Sequence, residues 1–306
     1  MAVSNYSDIF YRQNIKDPII SYTWVPAHIR NMKIKGFEPS LNNKNELYYV
    51  EGDILYTTRM NLKYVFEEYT KDCIIIADGV DCGLYEQEGG DFIGSPVHYP
   101  TQERWRSKIP SNVKYLFSTN TNSYKDSRVI PLPYGVQKHQ LEQIKKLVNS
   151  GYLDGIKRNL LYVNFSPKAN PIRVPIAKWW ANNNFSKVNF NIDNNLLPYE
   201  IGCYLNYQWI SQSRFVLCPD GNGLDSYRIW ESLYLGAIPV VKNLKTYSHP
   251  EYLKMPLLKV NDMIEMKVSA EELLNFNPGQ VDLSFLTRTY WDNKIKAALN
   301  IGNYRT

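Results

Sequence analysis

Phe215-Val-Leu-Cys-Pro-Asp-Gly-Asn-Gly-Leu-Asp-Ser-Tyr-Arg-Ile-Trp-Glu-Ser-Leu-Tyr-Leu-Gly-Ala-Ile-Pro-Val-Val241 is the stretch whose reading decides the fold. An apolar strand runs into Cys218-Pro219. The loop Asp220-Gly221-Asn222-Gly223 follows, and its two glycines let the backbone come close to a ligand. Asp225 and Ser226 are both candidate N-caps for the next helix. Ile229, Leu233 and Ala237 repeat at i, i+4 and i+8 and mark its buried stripe; Gly236 ends it, and Ile238–Val241 is a second buried strand. A helix N-terminus at the carboxyl end of a strand is an anion site, because free N–H groups and the helix dipole point at the ligand.

The same pattern extends outward. Asn159–Phe165 reads as a strand of the same half, and the amphipathic Lys138–Val148 precedes it. In the first half, Ile19–Trp24, Leu47–Val50, Cys73–Ala77 and Tyr115–Ser118 are candidate strands, and Met60–Tyr69 has a helical period. Cys73–Ala77 is apolar on both sides of the pleat, which suits a parallel strand covered on both faces. Strands alternating with helices in both halves give an α/β chain with two parallel sheets. The expected division is an N-terminal domain over 1–152, a C-terminal one over 153–285, and a last helix over 286–306 packing back on the first.

Composition narrows the function classes. The chain has 306 residues, 44% hydrophobic and 21% charged, enough for a buried core in each of two domains. The net charge of +5 fits an anionic small ligand, but no basic stripe of the kind nucleic acid requires is present. Tyrosine is abundant, 24 residues against 11 Phe, and suits polar ring-shaped ligands; an AT-rich genome explains it equally well. The four cysteines, 73, 82, 203 and 218, form no C-x-x-C pair, so buried free thiols and a reducing compartment are expected. Met1–Arg12 carries no apolar signal core and no run of 18 apolar residues occurs, so the expectation is a cytoplasmic chain without a transmembrane helix.

The chemistry-bearing residues of the second half sit on the glycine-loop helix. Arg228 is one turn in, where a guanidinium can bond a phosphate, and Glu231 shares its face and can accept from ribose hydroxyls. A surface ion pair on a core helix is the alternative for the same spacing.

P-D-G-N-G-x-D-x-x-R-x-W-E-x-L-x-x-G-x-I-P-V-V resembles the C-terminal signature of exostosin-like glycosyltransferases. Val129-Ile-Pro-Leu-Pro-Tyr-Gly135 is similar to that family's segment near the domain crossover, and Leu161-Tyr-Val-Asn-Phe165 followed by Arg173 to the opening of its donor domain. The resemblance covers residues 115–245 and leaves about the first 110 unmatched. It implies the GT-B arrangement, two Rossmann-like domains facing across a cleft, with a nucleotide-sugar (a UDP-sugar first) in the C-terminal one and a glycan or glycoconjugate as acceptor. On that resemblance Glu231 binds the ribose. Arg228 and the Gly221, Asn222 and Gly223 loop take the diphosphate, with Asp225 at the helix start. Arg173 is a second cation, and Asn164 orients the loop before it. No cofactor or obligatory metal is implied, and no D-x-D triplet occurs. Pro239 and Gly223 stand where a pair of glutamates would mark one large retaining group, which favours inversion.

Inversion needs a base from the N-terminal half. Asp78, at the carboxyl end of Cys73–Ala77, is the first choice, Asp81 the second and Glu86 the third; a turn-forming Asp before Gly79 is the alternative for Asp78. His98 and His249 are weaker candidates near the cleft. A catalytically silent glycan- or nucleotide-binding module with the same fold is the other function class. A dinucleotide oxidoreductase is disfavoured, since no G-x-G-x-x-G follows the first strand.

Overall fold

A computed structural model describes residues 17–19, 24, 48–58, 61–78, 82–86, 92–96, 105–122, 126–150, 156–167, 170–188, 199–221, 223–279 and 281–303. Most of Ile19–Trp24, together with Asp81, His98 and Asn222, lies outside the described residues.

The first half runs β1 (Tyr48–Glu51), β2 (Ile54–Thr58), α1 (Leu62–Glu68), β3 (Cys73–Asp78), β4 (Cys82–Glu86), β5 (Phe92–Pro96), β6 (Trp105–Ser107), β7 (Val113–Thr119), β8 (Thr121–Asn122), β9 (Val129–Leu132) and α2 (Lys138–Asn149). Five of these strands make a sheet in the order β1-β2-β3-β7-β9. All its pairings are parallel except the β1–β2 hairpin. A second, mostly antiparallel sheet, β6-β5-β4-β8, lies beside it. The sequence reading did not anticipate that sheet.

The second half runs β10 (Asn159–Val163), α3 (Arg173–Trp180), β11 (Ser186–Val188), α4 (Tyr199–Ser211), β12 (Ser213–Leu217), α5 (Tyr227–Tyr234), β13 (Ile238–Lys242), α6 (Pro250–Leu253), β14 (Leu258–Val260), α7 (Ala270–Asn275) and α8 (Arg288–Asn303). Its sheet is parallel throughout, in the order β11-β10-β12-β13-β14. This is the 2-1-3-4-5 order of a doubly wound sheet, with its switch point between β10 and β12. The α/β expectation with two parallel-rich sheets holds.

Period-2 alternation divides each sheet between two cores. On β3, Cys73, Ile75 and Ala77 pack with α1 through Leu62, Val65 and Phe66, while Ile74 and Ile76 face the other way. On β10 and β12, Leu161, Val163, Phe215 and Leu217 pack with α3 and α7, while Tyr162 and Val216 face opposite. The inward residues of both sheets meet in one continuous core. It also takes Leu141, Ile144 and Leu147 of α2, Trp230 and Leu233 of α5, and Trp291 of α8. Each such side chain contributes about 1.5–3 kcal/mol by leaving water, so the halves share their largest source of stability.

The two ends of the described chain meet on one hydroxyl. Tyr234 Oη accepts the Ile19 N–H at 2.9 Å and donates to the Leu286 carbonyl at 2.7 Å. The Arg288 N–H reaches the Asp17 carbonyl at 3.0 Å, and its guanidinium lies 3.9 Å from the centre of the Trp24 ring. Among the described residues no helix is long and apolar enough to cross a membrane.

Gly135 sits where Ile19 crosses the end of the first sheet, at φ +74°, and a Cβ there would overlap the Ile19 carbonyl. Gly135→Ala combines left-handed backbone strain with overpacking. It is expected to cost about 2–5 kcal/mol, read as a fall in the denaturant midpoint.

Candidate functional site

The carboxyl ends of β10 and β12 flank the switch point, where open α/β sheets place ligand groups. After β12 the chain forms the Asp220–Gly223 turn, in which the Gly221 N–H bonds the Gly223 carbonyl at 3.0 Å. Ser226 is the N-cap of α5 by its extended backbone, but its side chain makes no cap bond. Ile229, Leu233 and Ala237 are buried, as the periodicity requires.

Asp225, the other capping candidate, has a different task. Its carboxylate accepts the Tyr134 N–H at 2.9 Å and the Trp230 Nε1–H at 2.8 Å, and its own N–H donates to Asn120 Oδ1 at 2.7 Å. One residue thus joins the start of α5 to two loops of the first sheet. Gly223 permits this, because a Cβ there would stand 2.6 Å from Asn120 Nδ2. The Tyr134 and Tyr227 rings stack at 4.8 Å across the same seam.

Arg173, at the first turn of α3, locks the glycine turn by its carbonyls. Its Nε donates to Asp220 O at 2.8 Å and its Nη2 to Pro219 O at 3.2 Å, and it lies over the Phe165 ring. It makes no ion pair among the described residues. Burial, then the nearby Arg228 charge, bring its pKa down to about 10. Two guanidiniums therefore sit close enough at the switch point to oppose each other, which a bound anion would relieve.

Arg228 and Glu231 do share a face of α5, with Nε 3.4 Å from Oε2. Glu231 is the more enclosed, its side chain 5% exposed against 21% for Arg228. Its Oε1 accepts the Tyr207 hydroxyl at 3.1 Å. Arg228 Nη1 donates to Asn206 Oδ1 at 2.8 Å, the atom that Asn164 Nδ2 also reaches at 2.7 Å. Asn164 bonds Tyr162 Oη as well, at 2.8 Å. Although burial opposes the charge, Glu231 holds the Arg228 pKa above its ordinary value. Asn164, Arg228 and Glu231 are thus parts of one network centred on α4. Asn206 and Tyr207, which carry it, were not singled out in the sequence. The signal was weak, because α4 also carries Glu200, Gln208 and Ser211 among its apolar residues.

On the opposite side, Asp78 ends β3 and is fully buried. Its Oδ1 accepts the Thr119 hydroxyl at 3.1 Å and its Oδ2 the Trp24 N–H at 3.3 Å. Glu86 lies at the end of β4 in the small sheet. His249 caps α6 by accepting the Glu251 N–H, away from the glycine turn's bonds.

Residues 200–263 match the family model described as the RXYLT1 C-terminal domain. That is a glycosyltransferase-like family, related to the exostosin-like enzymes. The matched stretch runs from α4 past β14, so it holds the network helix, the glycine turn, Asp225, Arg228 and Glu231. It leaves out Asn164, Arg173 and the first sheet. The chain as a whole matches no curated protein.

Lys242, 1% exposed, pairs with Asp220 Oδ2 at 3.0 Å beneath the turn, and burial raises the Asp220 pKa against that pairing. Lys242→Met strands a buried carboxylate. It is expected to destabilise the fold by about 3–5 kcal/mol in chemical denaturation, and adding Asp220→Asn to recover most of the loss.

Proposed function

We propose that the chain is a glycosyltransferase of the GT-B arrangement, moving a sugar from a nucleotide-sugar, a UDP-sugar first, to a glycan hydroxyl. The observation that carries this reading is the pair of guanidiniums, Arg173 and Arg228, at the switch point beside a glycine turn and a helix start. A leaving diphosphate needs its growing negative charge met as the glycosidic bond breaks. Fixed cations and N–H dipoles do this without reorganising. The match of residues 200–263 to a glycosyltransferase-like family supports the same reading.

In this proposal the turn at Gly221, Asn222 and Gly223, the α5 start at Asp225, and Arg173 and Arg228 hold the diphosphate. Asn164 fixes Arg228 through Asn206. Glu231 takes the ribose by exchanging the Tyr207 hydroxyl for a ribose one. The reaction inverts without an obligatory metal, and an N-terminal carboxylate deprotonates the acceptor. Asp78 reaches an acceptor only by releasing Thr119 or Trp24, which leaves Asp81 and Glu86 as its rivals. The enclosure of Asp78 is also the observation that favours the second reading, a silent glycan- or nucleotide-binding module.

Thermal-shift titration with UDP, GDP, CDP, ADP and their sugars tests the donor site. One nucleotide family is expected to stabilise the fold by about 2.7 kcal/mol at a hundredfold excess over its Kd. Glu231→Gln is expected to weaken UDP at least tenfold and to abolish the preference for UDP over 2′-deoxy-UDP. An unchanged preference would remove the ribose role. Binding without turnover on any acceptor would move the assignment to the silent module.

A further inference from the structure

Two buried polar atoms beside the glycine turn are unpartnered among the described residues: Asn120 Nδ2 and Ser226 Oγ. Asn120 is 3% exposed and Ser226 9%. They belong to opposite halves of the molecule, and both adjoin the Gly223–Asp225 segment. The Asn120 amide lies over Gly223 and accepts the Asp225 N–H, and Ser226 is the next residue along, at the start of α5. Asn120 also holds φ at +53°, a left-handed backbone that asparagine tolerates, and the Asp225 N–H orients its amide.

An enclosed amide or hydroxyl without a partner costs free energy, so two on one turn need an explanation. Neither does structural work with the atom in question. Ser226 does not cap its helix with its hydroxyl, and Asn120 uses Oδ1, not Nδ2, to hold Asp225.

Resting on the donor-site reading above, we infer that Asn120 Nδ2 and Ser226 Oγ form a subsite for the hydroxyls of the transferred sugar, so that the first sheet reads the donor too. The charges around the spot select a neutral polyol over a second phosphate. The Asp225 carboxylate is attached to the same turn, and the Asp78 carboxylate is one hydrogen bond from Thr119, the neighbour of Asn120. The two cations belong to the diphosphate side of that reading, Arg173 on the Pro219 and Asp220 carbonyls and Arg228 on Asn206 and Glu231. An amide N–H donor and a hydroxyl beside free helix N–H groups suit hydroxyl oxygens.

Two variants isolate the subsite. Ser226→Ala removes only the unpartnered hydroxyl. Asn120→Asp keeps the acceptor for Asp225 and tolerates the left-handed backbone, but replaces the Nδ2 donor with an oxygen. Titration calorimetry would compare UDP with the tightest binder among UDP-glucose, UDP-galactose, UDP-N-acetylglucosamine and UDP-xylose. In both variants the loss of affinity is expected to be at least tenfold greater for the UDP-sugar than for UDP, and in Ser226→Ala the Kd for UDP stays within twofold. Ser226→Ala is expected to keep or raise the melting temperature. Unchanged sugar-nucleotide affinity would overturn the subsite, and so would equal losses for UDP and UDP-sugar, which would assign these atoms to the diphosphate. A wild-type chain that binds neither probe would defeat the donor-site reading itself.

Discussion

A carboxylate buried at the seam between two sheets must be satisfied by donors from both, and Asp225 is that group. Its two oxygens take N–H bonds from Tyr134 and Trp230, while its own N–H goes to Asn120. Burying a charge without such donors is prohibitive, so the three bonds form together or the seam does not close. The start of α5 is thereby fixed against β9 and the β7–β8 turn. The glycine turn, Arg228 and Glu231 take their positions from that start.

The network on the other side of α5 has a different logic. Arg228 is held by a carboxylate and an amide oxygen, Arg173 by backbone carbonyls. Carbonyl dipoles orient a guanidinium but leave its formal charge uncancelled. Arg173 therefore remains a net cation, and burial first, then the Arg228 charge, brings its pKa down to about 10. A site that is electrostatically strained when empty gains more from binding an anion than one whose cations are each neutralised.

How much of this could be read from the chain varied with the range of the interactions. The strand, glycine turn, helix and strand around Phe215–Val241 were legible because each is a local pattern. β12 is a short apolar run, α5 repeats every 3.6 residues, and the glycines mark the turn. That Arg228 and Glu231 share a face followed from helical spacing, while their part in a donor site rested on the resemblance of the longer motif. The small sheet of β4, β5, β6 and β8 was not legible, because its strands are two to five residues long and its closing pair joins residues 84 and 121. Asn206 and Tyr207 were missed for a related reason: the polar residues of α4, Glu200, Asn206, Gln208 and Ser211, do not fall on one face, so periodicity gives no face to which a polar hub could be assigned. Asp225 and Asp78 show the limit of residue type as a guide. Asp225 was one of two candidate caps and Asp78 the first candidate base, and neither residue type named the donors from distant parts of the chain that each accepts.

That use links the two halves more closely than a hinged pair of domains requires. Trp24 donates to Asp78 and to the Pro133 carbonyl, and its ring lies against Arg288 at the start of α8. Tyr234, at the end of α5, bonds both the Ile19 and the Leu286 backbones. The two ends of α5 are therefore clamped separately, one by Asp225 and one by Tyr234, with the Arg228–Glu231 face between them. A rigid helix presenting its charged face from fixed ends is a preorganised element. The turn before it is held separately, by Arg173 and Asn170 on its carbonyls and by Lys242 on the Asp220 carboxylate.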